Sequence, residues 1–136
     1  MTTLDDVILI FAAVGQGLSG IKSAPDYPPE KAGDFPFWVV YPPRFTSTQT
    51  PQGSMTTLYD IACGFHIGRK GTLSNEVEFL LGYPETIMES LFEACNANLL
   101  AHETIEGTFG PLGWDDTPTI GFLFTIRNVK IVTDFT

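Results

Sequence analysis

The apolar positions of the chain alternate between stretches with the period of a helix and stretches with the period of a strand. The first helical stretch begins at Thr3, which with Asp6 forms the pattern of a capping box. Its apolar residues recur at spacings of three and four and predict one buried stripe: Leu4, Val7, Ile8, Phe11, Val14 and Leu18. We expect this helix to end near Ser19, because Gly15 and Gly17 loosen its last turns.

Strand patterns follow after a loop. Residues 24–36 are rich in proline and charge and predict an ordered or semi-ordered loop. The run FWVVY, from Phe37 to Tyr41, predicts a short strand that Pro42 and Pro43 stop. Residues 42–54, rich in Thr, Ser and Gln, predict a protruding hairpin arm. A long strand comes next, and alternation predicts that one set of its residues faces the core: Thr57, Tyr59, Ile61, Cys63, Phe65 and Ile67.

The second half of the chain repeats this order. After a GRKG turn at 68–71 and a short segment capped by Ser74, a helix is predicted to begin at Pro84. Its apolar face is expected to contain Ile87, Met88, Leu91, Phe92, Cys95 and Leu99. A strand over residues 105–109, a turn-rich connection over 110–118 and a long strand over 119–133 complete the pattern. The alternation of the last strand changes phase at Arg127 and Asn128, which predicts a β-bulge.

These elements predict an α+β fold in a single domain that spans residues 1–136. The order is αββαββ, with a mostly antiparallel four-stranded sheet and both helices packed on one face. At this length one hydrophobic core suffices.

Composition narrows the classes of function. The formal net charge is −9, from 16 acidic and 7 basic residues, which argues against a protein that holds nucleic acid by neutralising phosphates. An acidic surface could line a passage for DNA, or it could simply keep the protein soluble. Cys63 and Cys95 are expected to be small buried hydrophobes in a reducing compartment. We expect neither a signal peptide nor a membrane-spanning segment.

No motif for catalysis is present in the sequence. The two histidines, His66 and His102, lie outside metal-ligand spacing of each other and of both cysteines. Asp115 and Asp116 could bind a cation, but adjacent acids in a turn usually bond local backbone amides. The glycines of GQGLSG (residues 15–20) follow a helix and lack the ending of a phosphate-binding loop. We therefore predict a protein that is not an enzyme and needs no cofactor or metal.

Aromatic and polar residues in the predicted loops are the candidate interface with other subunits or partners. They either contact partners or fold back to cover the open face of the sheet. The candidates are Tyr27, Arg44, Phe45, Thr48, Gln49, Gln52, Leu112, Trp114, Asp115 and Asp116.

The ordered pattern resembles the tail terminator and tail-completion (neck) proteins of long-tailed bacteriophages, the family that includes the lambda minor tail protein U. The resemblance covers almost the whole chain and rests on the opening helix and on five further segments. These are FPFWVVYP at 35–42, the arm around TSTQTPQG, LYDIACGFHIG, PETIMESLFEACNANL and IGFLFTIRNVKI.

The resemblance implies a structural virion protein that forms a homo-oligomeric ring, expected to be a hexamer. The ring would cap the tail tube protein, end its polymerisation and join the head connector, with DNA only passing through the lumen. Such a protein is assembled in the host cytoplasm and found in the tail or neck of the virion. One alternative is a head-tail connector or neck completion protein. A second is a small ligand-binding or enzymatic α+β domain whose pocket is lined by Phe11, Phe65, Phe92 and Phe124.

Overall fold

The computed structural model describes residues 2–69 and 82–134 and confirms the predicted α+β fold. Two helices and four strands follow in the order αββαββ: α1 (Leu4–Gln16), β1 (Phe37–Gln49), β2 (Ser54–Arg69), α2 (Tyr83–Ala97), β3 (Ile105–Trp114) and β4 (Thr117–Asp134). The strands form one sheet in the order β1-β2-β4-β3, with every neighbouring pair antiparallel. The edges of this sheet are therefore β1 and β3.

Helix α1 begins with the predicted capping box. The Asp6 amide donates to the Thr3 hydroxyl at 3.3 Å, and the Thr3 amide donates to the Asp6 carboxylate at 2.9 Å. The helix ends at Gln16, which is three residues before the predicted end. Gly15 lies inside the helix, and the position requires glycine because a Cβ there would overlap the indole of Trp38. The Trp38 Nε1 donates to the Phe11 carbonyl at 3.1 Å. This close approach fixes α1 against β1.

Helix α2 begins at Tyr83, with Pro84 in its first turn as predicted. Ile87, Leu91 and Cys95 are buried and Met88 is half-buried, but the other two residues assigned to the apolar face are exposed. Leu99 is 92% exposed, because the helix ends at Ala97 and the Leu100 amide bonds back to the Cys95 carbonyl at 2.9 Å.

Phe92 is the second residue of α2 that the prediction placed wrongly. It is 43% exposed and its ring contacts His102, with the ring centroids 5.9 Å apart. Phe11, Phe65 and Phe124 are buried in the core, so Phe92 does not join them around a common pocket.

Strand β1 does not stop at Pro42 and Pro43, contrary to the prediction. β1 advances three residues from Tyr41 to Arg44, while β2 uses two from Ala62 to Asp60. The prolines lie in this bulge on an edge strand, where a missing N–H costs no ladder hydrogen bond. The strand therefore continues to Gln49, and the arm (residues 42–54) is the end of a β-hairpin.

The turn-rich connection predicted over residues 110–118 is also wrong. The residues GPLGW belong to β3 and pair with β4, and only Asp115 and Asp116 separate the two strands. Asp115 adopts a positive φ of 55°, which short hairpin turns require and Asp tolerates. Glycine and proline in this stretch indicate an edge strand rather than a loop.

The predicted bulge in the last strand is confirmed. β2 advances two residues from Tyr59 to Ile61, while β4 uses three from Val129 to Ile126. Asn128, at the bulge, has a φ of 56°. The extra residue restores the inward direction of the apolar side chains on both sides of the bulge.

The core lies between the helices and one face of the sheet. We call this the helix face and the opposite one the back face. Of the predicted inward set of β2, Tyr59 is half-buried and the other five are buried. The alternate positions Asp60, Ala62, Gly64 and His66 are buried too, which simple alternation did not predict.

Two sequence predictions fall partly or wholly on residues 70–81. Of the turn predicted at 68–71, Gly68 and Arg69 belong to β2 instead. The segment capped by Ser74, and the rest of that turn, lie outside the described residues.

Candidate interaction surfaces

Nine of the ten candidate residues fall at two separate ends of the sheet, and the tenth, Tyr27, belongs to the Pro-rich loop. Leu112, Trp114, Asp115 and Asp116 belong to the tip of the β3–β4 hairpin. The arm lies at the far end of β1 and carries the largest group of exposed candidates: Arg44, Phe45, Thr48, Gln49 and Gln52.

The tip of the β3–β4 hairpin folds over the back face. The ring of Trp114 lies 5.3 Å from that of Tyr41 and 6.5 Å from that of Phe37, although β4 and β2 separate β3 from β1 in the sheet. Its Nε1 donates to the Pro29 carbonyl at 2.8 Å. Trp114 and Leu112 are half-buried. Of the two alternatives for this segment, the contacts of Trp114 are those of a loop that covers the sheet.

The Pro-rich loop is held against α1. Gln16 donates through Nε2 to the Asp26 carboxylate at 2.7 Å and to the Ala24 carbonyl at 3.0 Å. Tyr27 is 51% exposed, and a hydrogen bond to the Asp5 carboxylate is the main cause that raises the pKa of its phenol. The loop therefore brings Tyr27 to the surface of α1 rather than to the arm.

The arm presents an open strand edge and an exposed aromatic ring. Phe45 is 64% exposed and rests on Tyr59, with ring centroids 5.6 Å apart. Thr50 closes the turn of the arm through its hydroxyl, 2.6 Å from that of Ser54. Within residues 2–69 and 82–134, no strand pairs with the outer edge of β1 from Arg44 to Gln49.

A polar groove of about 370 Å³ lies on the back face near the arm. The Arg127 guanidinium contacts the buried Asp60 carboxylate at 2.9 Å and the exposed Glu106 carboxylate at 2.8 Å. The same Asp60 accepts a bond of 3.2 Å from the Asn128 amide. The sequence analysis predicted the change of phase at Arg127 but missed this cluster of charged residues. The one sign of it in the sequence is Asp60, an acid within an otherwise apolar strand. The groove is lined by Arg44, Thr46, Leu58, Asp60, Arg127 and Asn128.

An apolar groove of about 350 Å³ lies between α2 and the edge strand β3. Gly107 leaves its floor open, and Phe109 stands beside it, 55% exposed and 5.0 Å from the ring of Phe122. Sequence reasoning missed this groove, because a glycine in an edge strand gives no apolar signal. It is lined by Pro84, Met88, Gly107, Thr108, Phe109, Phe122 and Phe124.

Burial favours the neutral form of three titratable groups, His66, Cys63 and Cys95. His66 lies beneath the ring of Phe37, its Nδ1 is 2.6 Å from the Thr119 hydroxyl, and burial lowers its pKa to about 4. Both cysteines are free and buried, and burial raises the pKa of Cys63 and raises that of Cys95 to about 11. Such thiols are unreactive, in agreement with their expected role as small hydrophobes.

Metal ligands do not gather anywhere in the described ranges. No group of three or more His, Cys, Asp or Glu side chains there could hold an ion, and Asp115 and Asp116 are both exposed at their turn. No helix of residues 2–69 or 82–134 is long and apolar enough to cross a bilayer.

Comparison with models of known protein families and with curated protein sequences finds no match. The surfaces that the described residues offer to a partner are the outer edges of β1 and β3, an exposed aromatic ring beside each edge, and an apolar and a polar groove.

Proposed function

We propose that the protein is a structural virion component that forms a ring on the phage tail tube, ends its polymerisation and joins it to the head connector. The observation that carries this proposal is a pair of sheet edges on opposite sides of the subunit, β1 from Arg44 to Gln49 and β3, with which no further strand of residues 2–69 and 82–134 pairs. Each has an exposed aromatic side chain, Phe45 on β1 and Phe109 on β3. A ring needs two different, complementary surfaces on each subunit.

The fold supports the same proposal. Its αββαββ order agrees with the sequence pattern that resembles the tail terminator proteins. Exposed sheet edges favour aggregation unless they are protected or used. Pro42, Pro43 and Pro111 protect part of each edge, and Ser23 bridges Phe37 at the start of β1. Residues 44–49 of β1 and 105–110 of β3 pair with no further strand of the described residues.

Charge is compatible with a ring around DNA. A net charge of −9 gives a surface that does not hold phosphates, so DNA would pass through the lumen without being retained. The partners in this proposal are a second copy of the chain, the tail tube protein and the head connector.

Deletion of the gene in the phage that carries it tests the proposal. A terminator predicts tubes of uncontrolled length that lack heads, because nothing stops addition of tube subunits. Expression of the wild-type protein from a plasmid should restore tails of uniform length. Headless tails of normal length would indicate the neck protein instead, and normal infectious particles would contradict both roles.

A further inference from the structure

We propose that β1 of one copy pairs with β3 of the next copy, so that Phe45 lies across Gly107 and fills the apolar groove beside α2. This contact rests on the proposed ring, for which it supplies the interface. Strand direction, the faces of the two edges and their charges support this contact.

Strand direction permits the pairing without inverting a subunit. In the order β1-β2-β4-β3 every neighbour is antiparallel, so β1 and β3 run in opposite directions within one subunit. A second copy placed beside the first in the same orientation therefore presents its β1 antiparallel to the first copy's β3. The sheet continues from copy to copy with all helices on one side.

The available edges match in length and end at prolines. Residues 44–49 of β1 follow Pro42 and Pro43, and residues 105–110 of β3 precede Pro111. All twelve of these residues retain a backbone N–H, so both edges can donate as well as accept hydrogen bonds. In the described part of the chain no other strand pairs with residues 44–49 or 105–110 on their outer side, and the isolated bridge from Ser23 lies at Phe37, at the other end of β1.

The side chains of the two edges face compatible ways. Phe45 pairs with Tyr59 and lies on the helix face, where Gly107 pairs with Phe124. An aromatic ring next to a strand glycine covers the backbone that the glycine leaves exposed. Phe45 opposite Gly107 would also lie beside Phe109, which is two residues further along the same face. Two exposed rings, 64% and 55% accessible in the single subunit, would be buried together.

Charge selects the next copy's β3 rather than its β1. The segment 44–49 carries a single charge, Arg44, and the segment 105–110 a single charge, Glu106, both on the back face. With Phe45 opposite Gly107, these two side chains are diagonal neighbours within reach of each other. Arg44 forms no ion pair with another described residue. Glu106 contacts Arg127 of its own subunit at 2.8 Å, but its side chain is 55% exposed and can accept a second cation. Pairing β1 with β1, or β3 with β3, would instead bring like charges together.

Charge reversal followed by sedimentation tests the contact. Arg44→Glu is expected to raise the concentration needed for assembly by about tenfold or more. The double variant Arg44→Glu with Glu106→Arg is expected to restore assembly toward that of the wild type. Lys130→Glu is the matched control, since it makes the same charge change on the back face of an inner strand and should leave assembly unchanged.

Cysteine cross-linking tests the geometry independently. The double variant Phe45→Cys with Gly107→Cys should give a ladder of disulfide-linked copies under oxidation. A Cβ at Gly107 makes ordinary contact with Phe124 at 3.5 Å, so the substitution fits the fold. Native Cys63 and Cys95 are buried and should contribute no ladder. Each single cysteine variant should give no cross-linked product.

The outcomes separate this contact from the ring itself. Rings that form without the ladder, or that respond equally to Arg44→Glu and Lys130→Glu, would overturn the contact and leave the proposed function standing. Dimers from Phe45→Cys alone would show like-to-like pairing and overturn the contact. A wild-type protein that stays a single subunit at every concentration would overturn the contact and count against the ring as well.

Discussion

The two ends of the same sheet are built from similar residues but used differently. At one end the back face is covered, because the β3–β4 hairpin brings Trp114 against Phe37 and Tyr41. At the other end the arm carries Phe45 with most of its ring exposed. An aromatic residue in a Pro-rich or polar segment of the sequence therefore does not by itself indicate an interface. Trp114 and Phe45 differ in whether another part of the same chain covers the ring.

The covered end should be sensitive to acid through His66. Its pKa is lowered from 6.5 to about 4 in the folded protein, so the unfolded chain binds a proton at a higher pH than the folded one. Stability from this group is complete above about pH 6.5 and is lost as the pH falls toward 4, by about 3 kcal/mol in total.

Urea denaturation at a series of pH values measures this loss. The variant His66→Gln keeps a hydrogen-bonding group beside Thr119 but does not titrate, so it corrects for carboxylates that titrate in the same range. The free energy of unfolding of the wild type should fall more steeply than that of the variant between pH 6.5 and 4. If the free energy of unfolding of the two proteins fell in parallel with pH, His66 would not be the source of the acid sensitivity.

Removal of Trp114 should destabilise the covered end. Trp114→Ala loses a half-buried ring that contacts Phe37 and Tyr41 and the hydrogen bond to the Pro29 carbonyl. We expect a loss of about 2 kcal/mol in the free energy of unfolding, below the usual cost for a fully buried tryptophan. Chemical denaturation of dilute protein checks this, and an unchanged midpoint would mean that the hairpin does not hold the back face.

The two acids around Arg127 should differ, although both contact the same guanidinium. Asp60 is buried and also accepts from the Asn128 amide, so Asp60→Ala should cost about 2 kcal/mol. Glu106 is exposed, so Glu106→Ala should cost less than about 1 kcal/mol. Thermal unfolding of the two variants compares them directly. Equal losses would show that burial does not set the strength of these ion pairs.

The smallest effect on the subunit is expected at the arm. Phe45→Ala should change the stability of the dilute protein by less than about 0.5 kcal/mol, because Phe45 is 64% exposed and its ring packs against that of Tyr59 at the surface. It is the counterpart of Trp114→Ala, and assembly rather than folding should respond. Denaturation of dilute protein, with sedimentation of concentrated protein, separates the two. A loss as large as that of Trp114→Ala would place Phe45 in the fold.

Sequence patterns predicted the elements well where period and packing agree. The capping box of α1, the buried stripe of α2 through Ile87 and Leu91, and the bulge at Arg127 all follow from local rules. The strand ends were wrong where proline and glycine suggested a stop. An edge strand tolerates Pro42, in a bulge, and Gly110 and Pro111. The N–H that proline lacks is not needed on the outer side of an edge strand or at a bulge.

The candidate surfaces were predicted less well, because they depend on long-range contacts. No local rule indicates that Trp114 reaches Tyr41 across two intervening strands, or that Arg127 meets Asp60. The arm was predicted correctly as exposed, since a run of Thr, Ser and Gln offers little to bury. The groove at Gly107 arises from an absent side chain, which periodicity does not record.

Amide hydrogen exchange as a function of protein concentration tests the use of the two edges most directly. The account predicts that amides in residues 44–49 and 105–110 become protected together as copies assemble, while amides at the turn of the arm continue to exchange quickly. Assembly during which both segments exchange as fast as in the single subunit would contradict it.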